Sequence, residues 1–231
     1  KYPDRCAYDF LDNKVTYRDF LNAIDRMASG LINEGIKEQD VVTIYLPNIP
    51  KALILYYALN KLGAISNFIH PHLATSEHVD LLRKMNPKMV FLLDTMQEKV
   101  DELRKEGLVS QFRLVSISDD LPLKSAVFYR VREMIAYRRI GGELSDRDLM
   151  KGLIDFEEFN DPDAISTILL TGGTTGQSKG VCLTSHNMNA SAIQTAYHHK
   201  EKRSDDKMLA ILPVFHGYGL VNCIHTTLME G

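Results

Sequence analysis

Apolar residues recur every three or four positions along residues 17–32, a spacing that predicts one buried helical face. Residues 41–46 form a short run rich in β-branched side chains, which predicts a strand that stops at Pro47 and Asn48. The apolar stretch that follows, residues 52–62, has the length of a helix. The pattern therefore begins with a helix, a strand and a helix.

The alternation of strand and helix continues along the chain. Further strands are predicted at residues 65–69, 90–93 and 112–117, and further helices at residues 76–85 and 97–106. Strands that alternate with helices are typical of an α/β fold, in which helices flank both faces of a mostly parallel sheet.

Residues 119–163 break this pattern and are predicted to form a surface helix followed by a connector. Basic and acidic residues separate there: Arg130, Arg132, Arg138 and Arg139 come first, and Asp155, Glu157 and Glu158 follow. A basic helix that lies on a membrane surface is an alternative. A solvated helix face is favoured over it, because acidic residues interrupt the positive charge at Glu133, Glu143 and Asp146.

The composition is that of a globular protein, and it argues against a nucleic-acid binder. The 231 residues are 45% hydrophobic and carry 27 basic against 30 acidic side chains, a formal net charge of −3. Such a chain lacks the basic field that binding a phosphate backbone requires, and no apolar stretch approaches the roughly 20 residues that cross a bilayer. Cys6, Cys182 and Cys223 match no disulfide or zinc pattern, so no metal site is predicted and a reducing, cytoplasmic location is expected.

The segment TGGTTGQSKG at residues 171–180 is the best candidate for a functional site. It follows an apolar strand at residues 165–170 and precedes a second β run at residues 181–184, which predicts a hairpin. Its four glycines let backbone N–H groups turn toward a ligand, and its three threonines and one lysine add donors and positive charge. This combination suits a phosphate group, and a plain glycine-rich hairpin tip is the alternative.

Two common phosphate-binding patterns do not fit this loop. The Walker pattern GxxxxGK[ST] needs glycine before the lysine and serine or threonine after it, whereas Ser178 precedes Lys179 and Gly180 follows it. The dinucleotide pattern GxGxxG is also missing from the loop. Both patterns open a helix, whereas β runs flank this loop on either side.

The loop resembles the phosphate-binding signature of the AMP-forming acyl-CoA synthetases, which belong to the adenylate-forming superfamily together with peptide-synthetase adenylation domains and luciferases. Three other segments resemble elements of this family in the same order: VTYRDF at residues 15–20, ALNKLGA at residues 58–64 with His70 and Pro71 beyond it, and LPVFHGYGL at residues 212–220. The commonest family loop reads TSGTTGxPKG, so Gly172 replaces a serine and Ser178 replaces a proline. Paired glycines are familiar from fatty acyl-CoA ligases, which favours an acyl substrate.

The resemblance implies that residues 1–231 are an incomplete N-terminal AMP-binding domain, without the C-terminal domain that carries the family's catalytic lysine. Such a ligase uses ATP and Mg²⁺ to activate a carboxylic acid, here a fatty or other acyl acid, as acyl-adenylate, and passes the acyl group to coenzyme A. No catalytic set is complete in these residues, so we expect them to be inactive alone. The alternatives are an aryl-CoA ligase, a peptide-synthetase type of adenylation domain, and a nucleotide-binding module without catalysis.

The resemblance also assigns residues to the site. The β- and γ-phosphates of ATP would be held by Thr171, Gly172, Gly173, Thr174, Thr175, Gly176 and Lys179. The acyl-adenylate pocket would include His216, Gly217 and Tyr218. The competing interpretations are a solvated loop lysine for Lys179 and a purely structural role for His216.

Two expectations concern the structure near the end of the sequence. Ser185 and Asn187 are predicted to cap a helix at residues 188–197. The apolar residues 221–229 are expected to be exposed unless another chain or helix covers them, because a chain cut at Gly231 would lack partners for its apolar faces. Self-association through that end is therefore expected.

Overall fold

The computed structural model describes residues 2–71, 75–109, 111–136, 145–171, 179–198 and 206–231. Its strands are β1 (Cys6–Phe10), β2 (Asn13–Thr16), β3 (Val41–Tyr45), β4 (Ile65–Phe68), β5 (Met89–Leu93), β6 (Gln111–Val115), β7 (Ile165–Thr171) and β8 (Lys179–Thr184). Its α-helices are α1 (Tyr17–Asn33), α2 (Pro50–Lys61), α3 (Thr75–Met85), α4 (Gln97–Lys105), α5 (Leu123–Ala136), α6 (Ser185–His198) and α7 (Thr226–Glu230). A π-helix occupies Tyr218–His225, and 3₁₀ turns occupy Asp94–Met96, Ile117–Asp119 and Asp146–Met150.

A six-stranded sheet forms the centre of the fold, in the order β6-β5-β3-β4-β7-β8. Neighbouring strands are parallel from β6 to β7, and β8 pairs antiparallel with β7. Strands β1 and β2 form a separate antiparallel hairpin. The predicted α/β fold, with a mostly parallel sheet and flanking helices, is confirmed.

Buried polar side chains fix the register between the central strands. Ser66 Oγ on β4 lies 3.0 Å from Thr167 Oγ1 on β7, and Asn67 Nδ2 on β4 donates to Thr43 Oγ1 on β3 at 3.0 Å. A one-residue slip of β4 would break these bonds, and polar groups without partners are costly in a core. Because β3, β4 and β7 are parallel, their carboxyl ends lie at one edge of the sheet.

Helix α1 follows its predicted pattern closely. Thr16 caps its N-terminus, where the Asp19 N–H donates to Thr16 Oγ1 at 3.1 Å. Its apolar positions Phe20, Ile24, Met27 and Leu31 are buried in the main core. The prediction of one buried helical face over residues 17–32 is confirmed to within one residue.

The segment between β6 and β7 contains α5, the 3₁₀ turn Asp146–Met150 and a mostly exposed stretch at residues 151–163. Helix α5 lies at the β6 edge of the sheet, since it packs against the 3₁₀ turn Ile117–Asp119 that follows this strand. Arg130 on α5 forms an ion pair with Asp119 at 3.1 Å. Three charged residues that entered the prediction for this segment, Arg138, Arg139 and Glu143, lie outside the described residues.

None of the helices within the described ranges has both the length and the apolar character needed to cross a membrane.

A buried cluster of charges joins the N-terminus of α2 to the segment around α5. Lys51 Nζ lies 3.1 Å from Asp146 Oδ2, and the two side chains are only 5% and 1% exposed. The Asp120 carboxyl interacts with Lys51 at the same helix start, where Ile49 supplies no side-chain cap. Burial raises the pKa of the Asp120 carboxyl to about 6, and the positive charge of Lys51 opposes this rise.

Asp120→Asn is expected to remove a pH dependence of stability. A carboxyl whose pKa rises from 3.8 to about 6 on folding binds its proton more tightly in the folded state, so stability is lost as the pH rises through 6. Between pH 5 and pH 8 this one group lowers the free energy of unfolding by about 1.4 kcal/mol. Urea unfolding of the parent and the variant at both pH values measures the difference. An unchanged pH dependence in the variant would assign it to other groups.

The expected exposure of residues 221–229 is wrong. Val221, Cys223 and Ile224 are buried, because the π-helix packs against α6 and α7 and joins the main hydrophobic core. Met229 remains exposed. The exposed apolar surface on which the expectation of self-association rested is therefore largely missing from the described residues.

The capping prediction for α6 is half right. The Asn187 N–H donates to Thr184 Oγ1 and the Thr184 N–H donates to Asn187 Oδ1, both at 3.1 Å. This reciprocal pair is a capping box, so Thr184 takes the position predicted for Ser185. Ser185 instead lies in the first turn, where its Oγ donates to Asn60 Oδ1 on α2 at 2.8 Å and ties the two helices together.

Candidate functional site

Strands β7 and β8 form a hairpin. Thr171 and Lys179 are the paired residues at its loop end. The pairing is antiparallel, so the predicted hairpin around the glycine-rich segment is confirmed. The side chains of Thr171 and Lys179 are both exposed. The predicted phosphate ligands between them, Gly172, Gly173, Thr174, Thr175 and Gly176, lie outside the described residues.

Asn48 fixes the segment that precedes the predicted acyl-adenylate pocket. Its Nδ2 donates to Ala210 O at 2.8 Å and to Leu212 O at 2.7 Å, and its Oδ1 accepts from the Val214 N–H at 2.8 Å. All three of these hydrogen bonds join the amide to one stretch of chain, residues 210–214. Sequence reasoning missed this role, and the available signal was a polar residue just beyond the carboxyl end of a buried strand.

Phe215 anchors the predicted pocket residues to the sheet. It is buried, and its ring centroid lies 4.5 Å from that of His70, which follows β4. The next residue, His216, is exposed, with its ring centroid 5.0 Å from that of Phe215. The core aromatic thus holds the histidine at the surface, next to the carboxyl edge of the sheet.

Gly217 places the same segment beside the hairpin. A Cβ on Gly217 would be 3.6 Å from the side chain of Leu169, which lies on β7 two residues before Thr171. Tyr218 is exposed and begins the π-helix. The structure therefore brings His216, Gly217 and Tyr218 next to the strand that leads into the glycine-rich loop.

Gly219 allows the π-helix to approach the backbone that precedes it. A Cβ there would lie 2.2 Å from the Pro213 carbonyl oxygen and 2.7 Å from the Leu212 carbonyl oxygen, distances that no side chain tolerates. Helix turns of the π type occur frequently at functional sites. The close contact fixes residues 213–218 as a tight turn.

These observations define one candidate site at the carboxyl edge of the parallel strands. Asn48 follows β3, His70 follows β4 and Thr171 ends β7, so three neighbouring strands contribute to it. In open α/β sheets, ligands bind in the crevice outside the carboxyl ends of the strands. Within the described residues, no group of three His, Cys, Asp or Glu side chains is arranged to hold a metal ion.

A cavity of about 360 Å³ lies between α1, α2 and α6. Its histidine, His225, uses both ring nitrogens: Nδ1 lies 2.9 Å from the Tyr57 hydroxyl, and Nε2 lies 2.9 Å from Asn189 Oδ1. Because the Asn189 oxygen can only accept, Nε2 carries the proton and Nδ1 accepts from Tyr57. Burial lowers the pKa of His225, in agreement with a neutral ring that serves a structural purpose.

Asn48→Ala is expected to loosen residues 210–214. The loss of three hydrogen bonds should lower the free energy of unfolding by roughly 1.5–3 kcal/mol. Urea unfolding measures the effect. Asn48→Asp is the matched control, because it keeps the acceptor for the Val214 N–H and loses both donors, and it should lose less stability than Asn48→Ala. If both variants retained full stability, the hydrogen bonds would have no part in holding residues 210–214.

Comparison with known proteins identifies the family to which the chain belongs. The sequence model of the family described as AMP-binding enzyme matches residues 1–231. The chain is 28% identical over 240 residues to a long-chain-fatty-acid–CoA ligase of Bacillus subtilis (strain 168), covering 100% of this chain and 43% of that protein. It is 27% identical over 227 residues to a 4-coumarate–CoA ligase of Vanilla planifolia, covering 95% and 38% respectively. The chain thus spans less than half the length of these relatives.

A solved structure supports the fold. The o-succinylbenzoate CoA synthetase of Bacillus subtilis, in complex with its acyl-adenylate intermediate, superimposes with a TM-score of 0.74 at 22% identity, over 99% of this chain and 51% of that one. The similarity in structure extends over nearly the whole chain, as the family match does. The chain belongs to the family of AMP-binding, adenylate-forming enzymes.

Proposed function

We propose that the chain is the N-terminal part of an ATP-dependent, AMP-forming acid–thiol ligase. In the first reaction, the carboxylate of the acid attacks the α-phosphorus of ATP, which gives acyl-adenylate and pyrophosphate. In the second, the thiol of coenzyme A displaces AMP and the thioester forms. The observation that carries this proposal is the β7–β8 hairpin, which pairs Thr171 with Lys179 at the two ends of the glycine- and threonine-rich segment, and which has Gly217 beside Leu169 of β7.

The chemical demand on the loop is neutralisation of negative charge. The attack brings a carboxylate anion toward a polyphosphate anion, so donors and cations must offset the repulsion. In our proposal the backbone N–H groups of Gly172, Gly173 and Gly176 and the hydroxyls of the threonines bind the β- and γ-phosphates, and Lys179 adds a point charge. Bound Mg²⁺, held mainly by the phosphate oxygens, supplies further charge neutralisation.

Residues 216–218 are assigned to the wall of the acyl-adenylate pocket. His216 and Tyr218 are exposed side chains next to the hairpin, so either can contact a ligand that lies along the carboxyl edge of the sheet. Gly217 lies beside the Leu169 side chain, which a Cβ on Gly217 would contact at 3.6 Å, so the pocket wall packs directly against β7. We assign His216 to lining and orientation of the substrate.

A fatty or other acyl chain is the proposed acid. The fatty-acid–CoA ligase of Bacillus subtilis aligns with the whole of this chain, and the Gly172-Gly173 pair supports the same class. An aryl acid is the second candidate, because the 4-coumarate–CoA ligase of Vanilla planifolia is almost as similar. Both relatives are coenzyme A ligases by name, which favours coenzyme A over a carrier-protein thiol as acceptor. We place the enzyme in the cytoplasm, where its free cysteines would stay reduced.

The test is pyrophosphate exchange by the full-length protein against a panel of fatty, aryl and amino acids. The proposal predicts exchange that depends on a fatty acid, followed by acyl-CoA formation when coenzyme A is added. Exchange only with an aryl acid would reassign the substrate. Exchange with an amino acid and no transfer to coenzyme A would indicate an adenylation domain, and nucleotide binding without exchange would indicate a module without catalysis.

A further inference from the structure

Helix α5 exposes an apolar surface that the rest of the described chain leaves uncovered. Four large apolar side chains of this helix are exposed: Leu123 by 80%, Val127 by 53%, Phe128 by 75% and Val131 by 48%. Isolated apolar residues at a surface are ordinary, whereas a cluster on one helix marks an interaction site.

The four residues share one side of the helix. At roughly 100° per residue they fall within an arc of roughly 140° on the helical wheel. Ala126, which is buried, and Tyr129, which is partly buried, fall on the opposite side and face the protein. Helix α5 therefore packs against the fold through a narrow side and exposes its broad apolar side to solvent.

The charges of α5 complement an anionic surface. The helix carries three basic residues, Lys124, Arg130 and Arg132, and one acidic residue, Glu133, within a chain whose formal net charge is −3. Lys124 falls inside the apolar arc. Arg130 borders the arc by helical position and shares its partner Asp119 with Arg147, so two basic side chains meet one carboxylate there and the border keeps an excess of positive charge. Long basic side chains can lie along an apolar surface and direct their charges to its boundary.

One of the acidic residues that interrupt the basic run along the sequence does not interrupt this face. Asp146 is buried in its ion pair with Lys51 and is removed from the surface.

We propose that α5 is a membrane-contact helix that binds the surface of an anionic lipid bilayer. A helix of this kind lies in the plane of the interface, with its apolar side among the acyl chains and its basic residues among the headgroups. A second copy of the chain is a poorer partner, because a symmetric contact would bring the excess basic charge of the two faces together. The location of α5 at the β6 edge, at the far side of the sheet from the β7–β8 hairpin, leaves the candidate site open.

The experiment is cosedimentation of the full-length protein with lipid vesicles. Vesicles of phosphatidylcholine with about one third phosphatidylglycerol should bind the protein, pure phosphatidylcholine should bind it weakly, and added salt should weaken binding. Phe128→Ser should reduce the affinity about tenfold or more, and Lys124→Glu should reduce it without the loss of an apolar group. Leu11→Asn is the matched control, since Leu11 is an exposed apolar residue in the β1–β2 turn.

Several outcomes would overturn the proposal. Failure of the parent protein to bind anionic vesicles would do so, and would indicate that the remainder of the protein covers the helix. Equal binding by the parent and Phe128→Ser, or equal losses in Phe128→Ser and Leu11→Asn, would place the contact elsewhere. If the protein did not bind vesicles but formed a dimer that Phe128→Ser abolished, the face would be assigned to contact with a second copy.

Discussion

Lys179→Ala in the full-length enzyme is expected to slow acyl-adenylate formation about ten- to a hundredfold, which corresponds to the loss of roughly 1.5–3 kcal/mol from one charged contact with phosphate. Lys179 is exposed at the loop end of the hairpin, and in the proposal its ammonium group contacts the bound polyphosphate. Pyrophosphate leaves before coenzyme A reacts, so the thioester-forming step should change little. Thr174→Ala should act on the same step.

Two assays separate the steps. Pyrophosphate exchange measures adenylation, and the reaction of coenzyme A with synthetic acyl-adenylate measures thioester formation. Lys14→Ala, at an exposed lysine of β2, is the matched control and should leave both rates unchanged. Unchanged rates in Lys179→Ala would mean that Lys179 is a solvated loop residue, and equal losses in both assays would mean that the substitution damages the fold.

Lys51→Met is expected to lower the free energy of unfolding by about 3–5 kcal/mol at pH 7.5. Lys51 is the cation of a buried pair, and its removal leaves the carboxylates of Asp146 and Asp120 in the interior without compensation. Burial raises the pKa of both carboxyls. The loss should therefore be smaller at pH 5, where the proton replaces the missing positive charge on Asp120.

Urea unfolding followed by circular dichroism measures this effect. Lys151→Met is the matched control, because Lys151 forms an exposed pair with Asp148 only five residues after Asp146, and exposed pairs contribute about 0–1 kcal/mol. The double variant Lys51→Met with Asp146→Asn should recover much of the lost stability. Equal small losses in Lys51→Met and Lys151→Met would contradict the assignment of a buried charge cluster.

The parallel sheet could be predicted because its strands are continuous apolar runs that alternate with helices. Strands β3 and β5 are almost wholly buried, and the continuous apolar runs at residues 41–46 and 90–93 indicate this burial. The β1–β2 hairpin was not predicted, because its strands are short and mostly exposed or half-buried. Its turn places Leu11 at φ 52° and Asp12 at φ 70°, which is a left-handed conformation. Turns of this kind are usually recognised in a sequence by Asn or Gly, and the Leu-Asp pair lacks both.

Some features of the candidate site depend on residues that are neighbours in sequence, and others depend on residues that are far apart. The glycine-rich loop and its flanking strands are contiguous in sequence, so the hairpin could be predicted from residues 165–184 alone. Asn48 acts on residues more than 160 positions away, and Lys51 meets an aspartate in a different segment. Such contacts depend on the tertiary fold, and no local pattern of one sequence specifies them.

The position of Asp120 bears on how a pH–rate profile of the full-length protein would be interpreted. A kinetic pKa near 6 is ordinarily assigned to a histidine. Burial raises the pKa of the Asp120 carboxyl to about 6, and this carboxyl interacts with Lys51, three residues after the Asn48 that holds the pocket segment. Profiles of Asp120→Asn and of a His216 variant, measured side by side, are needed before such a kinetic pKa is attributed to acid–base catalysis.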